Sequence, residues 1–272
     1  MQKVVLKLGG SLITTKDATD FPLSLPEILG QGEKYIRTQY LQRIGEEIYK
    51  VTKEIPLQLI VANGAGIFGH PLVKNLEKLS NVTDVHNSVE YLNKRVVDYL
   101  QNNGLNVKSL SPFSFCTYNG KEFDYKNFWE KARNILSIGA FLSTYGDIVK
   151  VTQGKGDCDG YQVVSADDLA PALAKLWGAE KIIMLMNRDG VYDKSPDYSD
   201  ARLIKVINAN EKPSFIAEIG TTDVTGGIWR KVEKLQEAAK KGIRSQIING
   251  LVPGNLEKAL YGDESIGTLI VP

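Results

Sequence analysis

The sequence predicts an α/β protein whose open, mostly parallel sheet is covered by helices on both faces. Short runs rich in Val, Ile and Leu recur along the chain, as expected for strands that are buried on both faces. Longer amphipathic stretches separate these runs, and this alternation of strand and helix is typical of parallel sheets. No linker rich in Pro, Gly or Ser divides the 272 residues, so one continuous sheet is expected.

The individual elements follow from these periodicities in chain order. Apolar runs predict strands at residues 4–8, 57–62, 106–110, 138–142, 148–151, 181–186, 244–248 and 268–271. Helical spacing of apolar residues predicts helices at 33–53, 71–79, 84–101, 126–134, 167–177 and 228–241. Residues 115–123, which contain Asn119-Gly120, and residues 153–162 interrupt the alternation and are predicted hairpins. A boundary near Leu176 would divide the sheet into an N-terminal lobe (1–176) and a C-terminal lobe (177–272).

Composition and charge exclude several classes of protein. The chain has 33 Lys and Arg against 32 Asp and Glu, a net charge of +1, which argues against a dedicated nucleic-acid binder. No apolar run approaches the ~18 residues that span a bilayer, and Lys7 interrupts the N-terminal run, which excludes a signal peptide. Cys116 and Cys158 are too few for a disulfide framework and are expected to be reduced thiols. The cytoplasm is the expected location.

The first predicted strand leads into a glycine turn that suits phosphate. Gly9, Gly10 and Ser11 follow it directly, and glycines after a strand let a phosphate approach bare backbone N–H groups. Lys7 lies within the strand, where a lysine is costly unless an anion partners it or its ammonium reaches solvent. Lys16, beyond the turn, is either a phosphate ligand or a solvated loop lysine.

A second glycine loop, NGAGIFGHP at residues 63–71, lies between a strand and a helix. Its G-x-G-x-x-G pattern occurs in dinucleotide-binding proteins, but the acidic residue they need at a strand end falls here within a predicted helix. An anion cradle at a helix N-terminus is the simpler interpretation. His70 begins that helix, either as a structural residue or as a ligand of the anion. His86 is predicted to be an exposed helix residue.

Two further turns precede helices. Asp167 and Asp168 lie in a first helical turn, where carboxylates either cap the helix or orient the lysines. The segment 223–227, DVTGG, is followed by Lys231 about one turn into the next helix. The G-x-x-x-x-G-K-[ST] motif is missing, so the chain is not a P-loop NTPase. Three glycine turns with Lys7 and Lys231 therefore predict cradles for two phosphate-bearing groups, as phosphoryl transfer requires.

These loops and several other segments resemble the amino acid kinase superfamily, and within it the isopentenyl phosphate kinases and their relatives, the fosfomycin kinases. The matching segments are KLGGS (7–11), GAGIFGHP (64–71), SPFSF (111–115), YGDIV (145–149), SADDLAPALA (165–174), RDGVY (188–192), DVTGGIWRK (223–231) and GTLI (267–270). They occur in order over essentially the whole chain.

The resemblance implies an αβα sandwich, usually a homodimer, whose N-terminal lobe binds a small phosphate acceptor and whose C-terminal lobe binds ATP with Mg²⁺. The implied ATP-binding residues are Lys7, Gly9, Gly10, Ser11, Lys16, Asp189, Gly226, Gly227 and Lys231. The implied acceptor-binding residues are Gly64, Ala65, Gly69, His70, Gly146 and Asp147. The implied catalytic residues are Lys7, His70, Asp167 and Lys231, with Asp167 holding the lysines in place; no protein ligand is assigned to the metal.

The chain departs from the family pattern mainly around the acceptor. The family loop usually has His-Gly-Gly-Gly and then Ser or Ala, whereas this chain has Asn63, Ala65 and Ile67. Alanine restricts the backbone if its position needs a positive φ, and isoleucine adds bulk. Met186-Asn187 replaces Thr-Asp before RDGVY. Apolar helix residues either line a hydrocarbon pocket or belong to the core: Leu72, Val73, Leu76, Leu92 and Val96.

Four functions remain at this point. The first is an ATP-dependent kinase of isopentenyl phosphate, and the second is a kinase of another small phosphate or phosphonate such as fosfomycin. The third is an NAD-dependent oxidoreductase, which leaves Lys7, the Gly9-Gly10 turn and DVTGG unexplained. The fourth is a non-catalytic nucleotide sensor, against which the intact set of lysines argues.

Overall fold

The strands and helices of the computed structural model alternate along most of the chain. The structure describes residues 1–15, 20–75, 81–157, 160–211 and 226–272. The strands are β1 (Gln2–Leu8), β2 (Leu57–Asn63), β3 (Val107–Ser109), β4 (Thr117–Tyr118), β5 (Phe123–Asp124), β6 (Phe141–Tyr145), β7 (Asp147–Lys150), β8 (Tyr161–Val164), β9 (Lys181–Met186), β10 (Val206–Asn208), β11 (Arg244–Asn249) and β12 (Thr268–Val271). The helices are α1 (Gly10–Ile13), α2 (Leu25–Gln31), α3 (Thr38–Glu54), α4 (His70–Lys74), α5 (Thr83–Asn102), α6 (Phe128–Ser137), α7 (Ala166–Trp177), α8 (Gly226–Ala239) and α9 (Asn255–Leu260).

Eight strands of the described ranges form one sheet in the order β10-β12-β11-β9-β1-β2-β6-β3. Neighbouring strands are parallel except β11 and β12, which are antiparallel. β1 is central, since it pairs with β2 on one side and β9 on the other. The strands β1, β2 and β9 are almost entirely buried, which explains their near-continuous apolar sequences.

Two hydrophobic clusters lie on the two faces of this sheet. Val4, Leu6 and Leu8 pack with residues of α3, α5 and α9 on one face. Val5 packs with residues of α6, α7 and α8 on the other. Because side chains alternate along a strand, Lys7 lies on the face of Val5, towards α7 and α8. The fold class predicted from the sequence, an αβα sandwich around a mostly parallel sheet, is confirmed.

Both predicted hairpins are present. β4 and β5 pair antiparallel around Asn119-Gly120, and β7 and β8 pair antiparallel around the second predicted loop. The strand predicted at 138–142 begins instead at Phe141, because residues up to Ser137 continue α6. The short elements α2, β10 and α9 were not predicted. The end of the helix predicted at 71–79 lies beyond Asn75, outside the described residues.

No helix in the described ranges combines the length and the apolarity needed to cross a bilayer.

Candidate functional site

A cavity of about 930 Å³ lies where the carboxyl ends of β1, β2 and β9 meet the start of α7 and α8. Open α/β sheets bind ligands at this edge because the turns after parallel strands converge there. Most of the residues predicted from sequence line this single cavity: Lys7, Gly9, Gly10, Ser11, Gly64, Ala65, Gly69, His70, Gly146, Asp147, Asp167, Gly227 and Lys231. The structure therefore places most of the candidate residues around one cavity, and their roles stay predictions.

Lys7 is buried in the centre of the sheet, with 4% of its surface exposed. Its Nζ lies 2.8 Å from Asp167 Oδ1. On the other side of the same carboxylate, Lys231 Nζ lies 3.1 Å from Oδ2 and also donates to the Gly227 carbonyl oxygen at 2.9 Å. The costly strand lysine is thus paired with an anion rather than directed to solvent.

The two neighbouring carboxylates at the start of α7 have different partners. Asp168 accepts a hydrogen bond from its N-cap, Ser165 N, while Ser165 Oγ accepts one from Asp167 N, so this part of the turn is a capping box. Asp168 also pairs with Lys234. Asp167 is left to pair with Lys7 and Lys231. The sequence left open whether these carboxylates cap the helix or pair with lysines. Asp168 caps the helix, and Asp167 pairs with the two lysines.

The Lys7–Asp167–Lys231 cluster has one more positive than negative charge. Burial raises the pKa of Asp167, but the two ammonium groups lower it further, to about 2. Burial lowers the pKa of Lys7, an effect that Asp167 offsets only in part and that Lys231 reinforces. An incoming phosphate would supply the missing negative charge and favour the charged form of Lys7.

The two glycine loops contact each other through their backbones. A Cβ at Gly10 would lie 2.5 Å from the amide nitrogen of Gly66, and a Cβ at Gly64 would lie 2.8 Å from that of Gly10. Gly66 has φ of +54°, and a side chain there would also meet Thr14. These glycines are therefore required by close approach, which brings the loops after β1 and β2 together above the sheet.

The departures from the family pattern cause no strain in the second loop. Ala65 has φ of −67° and ψ of −27°, a conformation open to any residue, so glycine is not needed there. Ile67 is buried and lies on a single 3₁₀ turn, Gly66–Phe68, at the cavity wall. Asn63 is fully buried, and its side-chain oxygen accepts a hydrogen bond from Asn93 Nδ2 at 2.8 Å.

His70 begins α4 and its ring is exposed towards the open cavity. The cavity walls nevertheless remove enough water to lower its pKa, and the charges of Lys74 and Lys231 lower it further. Its imidazole is therefore neutral at pH 7, with one N–H available as a donor. The helix that follows has only five residues, so the loop's N–H groups matter more than a helix dipole.

The prediction that His86 is an exposed helix residue is wrong. His86, on α5, has a side chain that is 16% exposed and donates from Nδ1 to the Asp147 carboxylate, 2.9 Å from Oδ2. Asp147 begins β7 and its side chain is fully buried. Its neighbour Gly146 donates from N to the Asn63 carbonyl oxygen at 2.9 Å, which joins this turn to the second glycine loop.

The structure places the apolar helix residues, which the sequence assigned either to a hydrocarbon pocket or to the core, mostly in the core. Leu72, Leu92 and Val96 are fully buried in the core, Leu76 lies outside the described residues, and only Val73 lines the cavity. The apolar lining comes instead from Ile67, Val73, Val85, Val89, Ile148 and Val163. Sequence periodicity identified the inner face of α5 but not which of its turns borders the cavity.

Asp189, a predicted ATP-binding residue, does not line this cavity. Asp189 is exposed; its carboxylate accepts from Asn249 Nδ2 at 2.7 Å and from the Tyr192 hydroxyl at 3.0 Å, while Arg188 and Gly190 line the cavity. Gly226 begins α8. Lys16 and residues 223–225 lie outside the described residues. The roles of these positions stay predictions.

The parallel sandwich and its paired lysines above glycine turns define a phosphate-binding α/β protein. A family model described as the amino acid kinase family matches residues 2–249. The chain belongs to the amino acid kinase family.

Two relatives and one solved structure are similar to this chain over nearly its full length. The isopentenyl phosphate kinase of Methanothermobacter thermautotrophicus is 32% identical, with 98% of each chain covered. That of Thermoplasma acidophilum is 30% identical over 98% of this chain and 99% of the relative. A solved structure described as "X-ray structures of isopentenyl phosphate kinase" superimposes with a TM-score of 0.77 at 30% identity, covering 99% of this chain and 100% of that one.

Proposed function

We propose that this protein transfers the terminal phosphoryl group of ATP to isopentenyl phosphate, producing isopentenyl diphosphate and ADP. Relatives of that name, similar over nearly the full length, support the activity. The observation on which the proposal depends is a cavity with a cationic end and an apolar end. Lys7 and Lys231 mark the first, and Val85, Val89 and Val163 mark the second.

The donor end consists of the lysine–carboxylate cluster and the glycine turn after β1. Lys7 and Lys231 would bind the phosphates of ATP, and Asp167 would keep the two ammonium groups apart and aimed at the cavity. Gly9, Gly10 and Ser11 line the path between them and the loop after β2. Phosphoryl transfer depends mainly on such positioning and charge neutralisation.

At the acceptor end no strong base is needed. A phosphate-monoester oxygen is already anionic near pH 7; it attacks the γ-phosphorus while the bond to the bridging oxygen of ADP breaks. The neutral His70 N–H would donate to the acceptor phosphate as negative charge accumulates. The apolar wall behind Gly146 would take a hydrocarbon chain out of water.

Magnesium would enter with the nucleotide. The described residues contain no group of three or more His, Cys, Asp or Glu side chains able to hold a metal ion. Mg²⁺ commonly retains several waters and binds through substrate phosphates, which suits this site. When bound, it would neutralise charge on the transferred phosphoryl group.

We also propose that the protein is a homodimer, as its family resemblance implies, and that it is cytoplasmic. Light scattering in solution measures the mass of the assembly and so tests the homodimer.

ADP release tests the proposed function directly. The purified protein is incubated with ATP, Mg²⁺ and, separately, isopentenyl phosphate, dimethylallyl phosphate, fosfomycin and free amino acids. The highest kcat/KM is expected with isopentenyl phosphate. A higher value with fosfomycin, or with an amino acid, would contradict the proposed acceptor while leaving the family unchanged.

A further inference from the structure

A second buried carboxylate, apart from the lysine cluster, lies at the acceptor end of the cavity. Asp147 is fully buried, yet it follows directly on Gly146, which borders the amide nitrogens of Ala65 and Ala166. A phosphate in this turn would lie close to a carboxylate of the same sign. Since buried like charges repel strongly, the Asp147 charge must be compensated for the turn to accept an anion.

His86 is the group placed to compensate it. Its Nδ1 lies 3.1 Å from Asp147 Oδ1 and 2.9 Å from Oδ2. The other polar groups on this carboxylate are neutral: Ile148 N donates to Oδ1 at 2.8 Å, and Ser111 Oγ lies 3.5 Å from Oδ2. The Phe113 ring covers the imidazole, with centroids 4.8 Å apart, and itself stacks on Tyr161 of β8.

The titratable groups around the pair leave His86 as the group that changes charge near neutral pH. Burial opposes a charge on His86, but its bond to Asp147 and the charges of Asp147 and Glu90 raise its pKa overall. Burial also raises the pKa of Asp147, against the opposing effect of His86. Tyr145 and Cys116, near the same carboxylate, have pKa values raised by burial and stay neutral.

We propose that His86 is a positioning residue that holds a positive charge against Asp147, so that a phosphate acceptor can enter the Gly146–Asp147 turn. This inference rests on the proposed phosphate acceptor. His86 thus contributes to acceptor binding without touching either substrate. It acts through the buried pair that it forms, from α5, with Asp147 on β7. The consequence is confined to one end of the cavity, since Lys7 and Lys231 pair with Asp167 and not with Asp147.

The expected signature is a KM for the acceptor that depends on pH. As the pH rises through the raised pKa of His86, the proton is lost and Asp147 is left uncompensated. The KM for isopentenyl phosphate should therefore rise between pH 6.5 and 9, while the KM for ATP stays within twofold. The range begins above the second ionisation of a phosphate monoester, near pH ~6, so that most of the acceptor is already a dianion and its charge changes little.

Two variants separate charge from packing. His86→Asn keeps an N–H donor but cannot be charged, and should raise the acceptor KM at pH 6.5 by about tenfold, equivalent to about 1.4 kcal/mol. At pH 9 the increase should be smaller, because the wild-type imidazole has then lost its own charge. Adding Asp147→Asn to His86→Asn removes the charge and should recover most of the affinity. Lys94→Gln, which removes an exposed charge further along the same helix, is the matched control and should change the acceptor KM less than twofold.

The outcomes distinguish this inference from the proposed function. If His86→Asn raises both KM values equally, or if the double variant is worse than His86→Asn, the pair acts through packing and the inference is wrong. If the wild type does not phosphorylate isopentenyl phosphate, the proposed function fails, and inorganic phosphate then serves as the probe. Equal phosphate affinity in the wild type and His86→Asn at pH 6.5 would overturn the inference independently.

Discussion

Two buried carboxylates face the same cavity but are held in different ways. Asp167 lies between two lysines, which lower its pKa to about 2. Asp147 lies against one histidine, and burial raises its pKa. The carboxylate of the first cluster stays ionised at neutral pH because its pKa is lowered, whereas the second pair contains a histidine whose pKa is raised from its ordinary value near neutrality. The donor end is therefore electrostatically fixed and the acceptor end is adjustable.

The largest effect is expected when a lysine is removed from the Lys7–Asp167–Lys231 cluster at the donor end. Lys7→Ala removes a cation buried against the phosphate path, and charge clamps in phosphoryl transfer contribute ~10³–10⁵ in rate. We expect kcat to fall at least ~10³-fold with the fold retained, measured by ADP release and circular dichroism. Lys234→Ala is the matched control, since Lys234 lies on the same helix as Lys231 but pairs with Asp168. Near-normal turnover in Lys7→Ala would remove Lys7 from the site.

Variants of His70 test the part of the cavity where the donor end meets the acceptor end. Removing a pre-organised donor typically costs ~10²–10³ in kcat, and His70→Ala should lose about that much. His70→Gln keeps a neutral N–H and should recover part of the rate. Because the pKa of His70 is lowered, any acid loss of activity from its protonation should lie below the ordinary histidine range. If His70→Gln were as inactive as His70→Ala, a role as general base would be favoured over that of donor.

The fixed carboxylate should also contribute to stability in acid. A carboxylate whose pKa is lowered on folding stabilises the protein above its ordinary pKa, 3.8 here, and this contribution is lost as the pH falls towards about 2. The shift corresponds to about 2 kcal/mol. Asp167→Asn should lose that dependence and, by leaving Lys7 buried without a partner, cost about 3 kcal/mol at pH 7.

Urea unfolding at pH 7, 4 and 3 measures both parts of this prediction. Asp168→Asn is the control, because asparagine can keep the cap and the change should cost less than about 1 kcal/mol. Equal losses in the two variants would mean that the lysine cluster adds nothing specific to stability.

The smallest effect is expected from changes in the loop beside the acceptor turn, which test whether the donor and acceptor ends of the cavity act separately. Ala65→Gly with Ile67→Ser alters the loop beside the acceptor turn without touching the lysine cluster. We expect the acceptor KM to change and the ATP KM to stay within about threefold, well under the tenfold that 1.4 kcal/mol represents. Initial rates with each substrate varied in turn provide the comparison. Parallel changes in both KM values would show that the two ends are coupled.

The sequence identified all three members of the lysine cluster but only one member of the His86–Asp147 pair. A lysine inside an apolar strand indicated Lys7, a glycine turn before a helix indicated Lys231, and the family resemblance selected Asp167 over Asp168. No feature of the sequence indicated a role for His86 in the site. Its partner, Asp147, is 61 residues away in sequence, and helical spacing alone places the imidazole on a polar face.

The sequence left open, for a related reason, whether the apolar helix residues line the cavity or belong to the core. Leu92 and Val96 share the inner face of α5 with Val85 and Val89, but only the first turns of that helix border the cavity. Periodicity defines which face of a helix is inward, and only tertiary packing decides whether that face meets core or open space. The short elements β10 and α9 were missed because three to six residues are too few for a period to be recognised.

The central position of β1 has a consequence for synthesis of the protein in the cell. β1 is made first, but one of its two partners, β9, is made only at residues 181–186. At 5–20 residues per second, roughly 10 to 35 s pass before that partner leaves the ribosome. Until then, the strand bearing Lys7 presents a free edge to other chains. Nascent chains arrested before β9 should therefore associate with one another or with chaperones more readily than chains arrested after it.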